Sequence, residues 1–295
     1  MNSLPIDRIA RAIWRSCVKL VNDGGMAIAS NVSMSLLLSI FPFLMFIASM
    51  VRLYGDPELA TATVDLVLGH WPADSAKPIA DQITVLLSQS PTEFFSISTL
   101  VVLVLASNGV ENARDGLNRA YKVKETRSFF WRRVQSAIFV IVGAIGLVTV
   151  AFILVGTPFL WRFLVSQIAW LEEFAFLFTF ARFGVAVVLL WAILLAMHKL
   201  LPDVSRHERR MRWGIGLTIV GILAGSKLFG WYLQSMANYT AVYAGLAGVM
   251  IAIVYLYFLA VIILWGAEFN TAYSELRDEE KKRSSRSTVA EFEQP

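Results

Sequence analysis

Three cations stand within or at the ends of long apolar runs of this 295-residue chain: Arg52, Arg182 and Lys227. Charge in hydrocarbon needs a partner, a water-filled cavity, or a route by which the side chain reaches the headgroups. No acidic residue shares those runs with them. Two readings stay open: an outward-facing cavity in which Arg182 and Lys227 hold an anionic group such as a lipid phosphate, and simple snorkelling, which is the commoner case. Asn31, Ser35 and Ser39 recur every four residues, so a helix presents them on one face. Such a stripe bonds a neighbouring helix or, less often, lines a pathway with the cations. At the other side of the membrane Glu268 and Asn270 close the last apolar run, and Glu111 and Arg114 follow the second at a helical pairing distance. Glu268 reads as a gate or proton relay, or as a helix-end carboxylate paired with a loop arginine, the more frequent arrangement. Asn238, Tyr239 and Tyr243 form the last outward turn. An interfacial aromatic belt accounts for the tyrosines, with an outer gate as the sharper alternative.

Other chemistries lack their residues. Cys17 is the single cysteine, so no intrachain disulfide and no cysteine metal site are expected. His70, His198 and His207 are the only histidines and are scattered, with His70 on the opposite side of the membrane from the other two. They do not supply the cluster that a two-metal nuclease requires. Neither a phosphate-binding glycine loop, a nucleophile elbow nor a zinc-protease helix is present. The expectation is a protein that is not an enzyme and carries no metal or cofactor.

The elements that must position these residues are apolar helices. The chain is 57% hydrophobic and 16% charged, with a mean hydropathy of +0.61, well beyond an ordinary soluble domain. Six runs suffice to cross a hydrocarbon core of about 30 Å: near residues 30–51, 94–110, 135–157, 174–197, 213–233 and 244–265. Ser90, Pro91 and Glu93 mark the start of the second, which continues past Glu111 as a charged helix toward Arg119. Lysines and arginines collect before the first run, after the second, after the fourth and after the sixth, while the first outward connection carries Asp56, Glu58, Asp65, Asp74 and Asp81. Basic loops stay in the cytoplasm, so both termini are expected inside. The formal net charge of +4 then reflects lipid headgroups rather than nucleic acid.

Three parts follow: 1–25, 26–275 and 276–295. The first carries Arg8, Arg11, Arg15 and Lys19 opposite Ile6, Ile9, Ile13, Cys17 and Leu20. It reads as an amphipathic cytoplasmic helix, lying on the membrane surface or packed on the rest of the protein, and not as a cleaved signal. The second is a six-helix membrane domain. The third is charged and poor in apolar residues, the composition of a disordered tail.

Several local sequences resemble the YihY/BrkB family. These are Leu38-Ser39-Ile40-Phe41-Pro42, then Asn118, Tyr121 and Arg127, then Leu200-Leu201-Pro202, the segment from Asn238 to Tyr243, and Gly266-Ala267-Glu268-Phe269-Asn270. The resemblance runs in order from about residue 26 to 275. It implies an all-α, six-span protein of the bacterial inner membrane with links to envelope integrity, a suggested lipid-export role among relatives, and an old ribonuclease label that the histidines do not support. The expected function is therefore transporter-like, acting on an anionic lipid or small solute in envelope biogenesis. The alternative is a membrane scaffold that recruits envelope proteins. Membrane lipids are the expected partners.

Overall fold

The computed structural model describes residues 5–54, 91–151, 153, 157–203, 212–235 and 247–292. Among these residues every regular element is helical: α1 (Pro5–Asn22), α2 (Gly25–Tyr54), α3 (Pro91–Ala120), α4 (Phe129–Ala151), α5 (Thr157–Gln167), a 3₁₀ turn (Ala169–Phe174), α6 (Ala175–Leu200), α7 (Arg212–Ser235) and α8 (Ala247–Phe292). Among the described residues three helical stretches are long and apolar enough to cross a membrane: Trp170–Leu200, Trp213–Leu233 and Val249–Lys282, with a shorter apolar helix at Gly25–Ser39. Their outward sides expose Phe176, Phe180, Val188, Leu228 and Trp231, a surface suited to lipid rather than water.

Helix α3 begins at Pro91, where a fixed φ and a missing N–H fit the first turn, and continues through the charged stretch as the sequence predicts. α2 runs along α3, and α8 packs against α1, α2 and α7. The main core joins Ile28, Ala29 and Val32 of α2 to Ala113 and Leu117 of α3 and to Ala260, Leu264 and Ala267 of α8. A second core links Leu194 of α6 to Ile215 and Ile219 of α7. The α7–α8 crossing is set by small residues: Gly221 faces Ile262, Gly225 faces Phe258, and Gly214 lies against the backbone of Gly266. Without side chains at these points the backbones approach closely, the means by which helices associate where no hydrophobic effect drives them together.

The two ends of the described chain lie side by side. Residues read as a disordered tail continue α8 as helix to Phe292. Leu276 is buried with Ala12 and Phe269, and the tail's acids meet the cations of α1. Arg8 and Arg11 pair with Glu280 at 2.5 and 3.1 Å, Arg15 with Glu279 at 3.0 Å and Lys19 with Glu275 at 2.5 Å. A composition that resembles disorder is here one half of a charge complement. The α1 cations assigned to headgroups face carboxylates instead. Exposed pairs of this kind contribute less than about 1 kcal/mol each, so the register is held mainly by the Ala12, Phe269 and Leu276 packing and by the Trp265 indole N–H donating to Ser16 Oγ at 2.9 Å. Of the two readings of α1, packing on the protein is the one observed, although Ile9, Ile13, Trp14, Val18 and Val21 stay exposed.

Candidate functional site

Polar side chains gather where the end of α3, the start of α4, the end of α6 and the start of α7 meet the middle of α8. Two lattices build this junction. In the first, Arg114 is wholly buried. It pairs with Glu111 one turn earlier at 2.7 Å and donates to Ser136 Oγ at 2.9 Å and to the Arg132 carbonyl at 3.2 Å. Ser136 in turn donates to Glu111 Oε1 at 2.9 Å, so α3 and α4 are joined by a charge that is paired on entry to the interior.

The second lattice ties the turn after α3 to the end of α6. Arg127 grips Glu125 through Nε at 2.6 Å and Nη2 at 2.8 Å. The same guanidinium donates to the Leu201 carbonyl at 2.6 Å, and Gln135 donates to the Leu200 carbonyl at 2.6 Å. Carbonyls in the last turn of a helix have no partner within it; here side chains from α4 and the preceding turn supply one. Asn118 donates to Glu125 Oε2 at 3.0 Å and accepts the Asp203 N–H at 2.9 Å. Burial pushes the Glu125 carboxyl up, but the Arg127 guanidinium, the Asn118 amide and the Arg127 backbone N–H outweigh it and hold the group down at about 2.

Between these lattices lies a chain of buried neutral groups. Asn270 Oδ1 accepts the Gly214 N–H at 2.7 Å, and its amide donates to the Tyr121 phenol oxygen at 3.2 Å. Tyr121 is 2.7 Å from His198 Nδ1. Burial pushes the phenol above its ordinary value, so it keeps its proton. Which of Tyr121 Oη and His198 Nδ1 donates depends on the imidazole tautomer. Nε2 is buried without a hydrogen-bond partner among the described residues, on a side chain that is 0% exposed. Glu268 is similar: 2% exposed, with Oε2 buried and unpartnered. Its charged neighbours are Asp23, Lys19 and Lys122.

A family model described as Virulence factor BrkB matches residues 16–291. The chain belongs to the BrkB family. A relative from Bacillus subtilis (strain 168), named a ribonuclease-like protein, YfkH, is 28% identical over 248 residues, covering 83% of this chain and 89% of the relative. A UPF0761 membrane protein from Chromobacterium violaceum is 27% identical over 122 residues, 41% of this chain and 29% of that protein. No solved structure matches the chain. Of the five BrkB-like stretches of the sequence, three meet in the junction: Asn118, Tyr121 and Arg127, the Leu200 and Leu201 carbonyls, and Gly266, Glu268 and Asn270. In this BrkB chain they come from three stretches far apart in sequence.

The remaining predicted residues do not assemble into one site. Asn31 is exposed, Ser35 accepts from Asn112 of α3 at 3.3 Å, and Ser39 bonds back to the Leu36 carbonyl at 2.7 Å. The stripe thus divides into an exposed residue, an interhelical bond and a self-satisfied hydroxyl. Arg182 lies over the Phe183 ring at 4.7 Å with Nε buried and unpartnered among the described residues. Lys227 is exposed on α7. Asn238, Tyr239 and Tyr243 lie outside the described residues. For Glu268, the sequence offers a loop arginine as partner, and the structure places lysines and Asp23 there. Sequence reasoning passed over Asp23 and left His198 without a role. The available signal was His198 standing one helical turn before Leu201-Pro202, with Tyr121 in the same motif set.

Among the described residues no three His, Cys, Asp or Glu side chains are gathered as a metal ion requires.

Proposed function

We propose that this chain is a six-span protein of the bacterial inner membrane, with both termini in the cytoplasm. It is transporter-like, moving or presenting an anionic lipid or small solute in envelope biogenesis. The observation that carries the reading is the polar junction. Glu268 and His198 are buried, each with an orphaned polar atom, inside a lattice that ties helix ends together. Buried ionisable groups within the helices of membrane proteins mark pathways and relays more often than they stabilise, since unpaired burial costs free energy. In this reading the junction is the cytoplasmic gate, closed, and the Arg182 face is the outward half of the route. The topology is supported by placement: α1, the turn after α3, the end of α6 and the extension of α8 meet at one end of the bundle, and these are the basic segments that the charge rule assigns to the cytoplasm.

Purified protein in liposomes, assayed for redistribution of labelled anionic lipid between leaflets, tests the function. Transfer that falls at least tenfold in Glu268→Gln is expected; no transfer with verified insertion refutes it. A reporter fused after Pro295 that is active on the outer side refutes the topology.

The scaffold reading draws on one observation of its own, the uncovered apolar side of α1 with Trp14 73% exposed. If that reading holds, Trp14→Asp abolishes copurification of envelope proteins and leaves lipid distribution untouched.

A further inference from the structure

Helix α4 opens on Phe129-Phe130-Trp131-Arg132-Arg133. The three aromatic side chains are 66, 77 and 55% exposed. Consecutive positions fan over about 200° of a helix, and a contiguous aromatic patch of this kind marks a contact surface. Trp131 heads a stripe: Ile138, Val142 and Ile145 follow it at helical spacings and are exposed as well. The stripe continues the lipid-suited surface of the bundle, so the aromatic residues stand where hydrocarbon meets headgroups, the level that tryptophan favours. Behind them are two cations. Both turn back to one ring, the guanidinium carbons of Arg132 and Arg133 lying 5.9 and 5.5 Å from the Phe129 centroid. Glu111 is 4.0 Å from Arg132 but already holds Arg114 at 2.7 Å, and Asp115, one turn further along α3, is exposed. Arg133 donates to the neutral Asn108 amide oxygen at 2.8 Å and has no ion pair among the described residues. Arg127, a few residues earlier, is matched by Glu125 at 2.6 Å. Two like charges drawn to one exposed ring, beside cations that are each paired, call for an anion.

We propose that the start of α4 binds one anionic phospholipid of the cytoplasmic leaflet, its phosphate held by Arg132 and Arg133 and its acyl chains laid along Phe130, Trp131 and the α4 stripe. Arginine suits the task, because its planar fork presents paired N–H donors to phosphate oxygens and sheds water more readily than an ammonium group. Phe129 draws both guanidinium groups to its faces, so the cations are gathered before the lipid arrives. A free phosphate satisfies the cations but leaves the rings in water; only a lipid answers both halves of the site. A zwitterionic lipid brings an ammonium of its own and gains less from the arginines. The lipid is a resident one at the rim of the polar junction, tied to it because the Arg132 carbonyl accepts from buried Arg114. The site rests on the topology proposed above, with α4 starting in the cytoplasm, and not on transport.

The test is native mass spectrometry of the full chain, released into mild detergent from vesicles of equal parts phosphatidylcholine, phosphatidylethanolamine and phosphatidylglycerol, with circular dichroism to confirm folding. Wild type is expected to keep one phosphatidylglycerol per chain. Arg132→Gln together with Arg133→Gln is expected to lower that occupancy roughly tenfold, while Lys281→Gln with Lys282→Gln, two exposed cations of the α8 extension, leaves it unchanged. Wild-type retention in the folded arginine variant overturns the site, as does a wild type that keeps no phosphatidylglycerol or keeps the three lipids equally. Should the arginine variant not fold, Phe130→Ala with Trp131→Ala decides: unchanged occupancy overturns the site equally. A lipid-free wild-type dimer that the aromatic variant splits assigns the face to a second copy of the chain and also overturns it. The reporter after Pro295 is read separately. Inside, with no lipid retained, it removes the site and spares the topology; outside, with one lipid retained, it removes the topology and the cytoplasmic leaflet with it.

Discussion

Gly214 and Gly216 stand two residues apart on α7, and alanine is expected to act in opposite directions at them. A methyl group built on Gly214 meets the Gly266 carbonyl oxygen and the Asn270 side-chain amide closer than real Cβ atoms come, whereas at Gly216 nothing lies within 4 Å. The Gly266 oxygen belongs to the α8 backbone and has no rotamer by which to step aside. Asn270 is fixed as well, since it accepts the Gly214 N–H at 2.7 Å and donates to Tyr121. Replacing a helix glycine by alanine gains about 1 kcal/mol where space is open. At position 214 overpacking costs about 1–3 kcal/mol, and loss of the Asn270 bond adds about 1 kcal/mol. The expected result is a destabilisation of about 2 kcal/mol for Gly214→Ala and a stabilisation of up to about 1 kcal/mol for Gly216→Ala. Unfolding by a denaturing detergent from mild micelles, followed by circular dichroism, measures both. The two midpoints move apart, on either side of wild type. Coincident midpoints refute the α7–α8 register, and with it the placement of Asn270 beside Tyr121.

Further expectations concern the lattices. Arg127→Lys keeps the charge but loses the forked grip on Glu125 and the cap on Leu201, and is expected to cost about 2 kcal/mol in the same unfolding measurement; a wild-type midpoint contradicts the cap. The Glu125 carboxyl is held at about 2, well below its ordinary value of 4.5, so its contribution is complete above the ordinary carboxylate range and is lost as pH falls from there toward 2. Thermal midpoints of Glu125→Gln are therefore expected to vary less than wild type across that window, and parallel curves contradict the pairing. Exchanging the charges of Arg15 and Glu279 is expected to leave stability within about 1 kcal/mol of wild type, while reversing Arg15 alone destabilises more. Equal effects of the single and double changes show that the pair does not form.

What the sequence made readable follows from how far each interaction reaches. The extension of α3 beyond Glu111, its start at Pro91 and the Glu111–Arg114 pair depend on residues within a turn or two of each other. Their spacing is enough. The junction was only partly visible: Glu268, Asn270, Glu111 and Arg114 could be picked out as polar groups at span ends, but their partners are distant. Nothing local joins Asn270 to Gly214, or Tyr121 to His198, 77 positions apart. Asp23 passes for an ordinary turn residue until α8 is laid beside it. The tail misled because disorder was read from composition, and composition does not record that Glu275, Glu279 and Glu280 have complements on α1. Polar stripes misled differently: helical spacing puts Asn31, Ser35 and Ser39 on one face, but not what that face meets.

The clasp between α1 and α8 carries a timetable. Arg15 leaves the ribosome 264 residues ahead of the glutamate that neutralises it, so during most of synthesis the α1 cations have only anionic headgroups to attract them. Arrival of α8 exchanges lipid for carboxylate and buries Ala12 and Ser16 against Phe269, Leu276 and Trp265. A chain interrupted before that point keeps those contacts open, which lets a membrane protease or chaperone distinguish an unfinished bundle from a completed one by the state of its first helix.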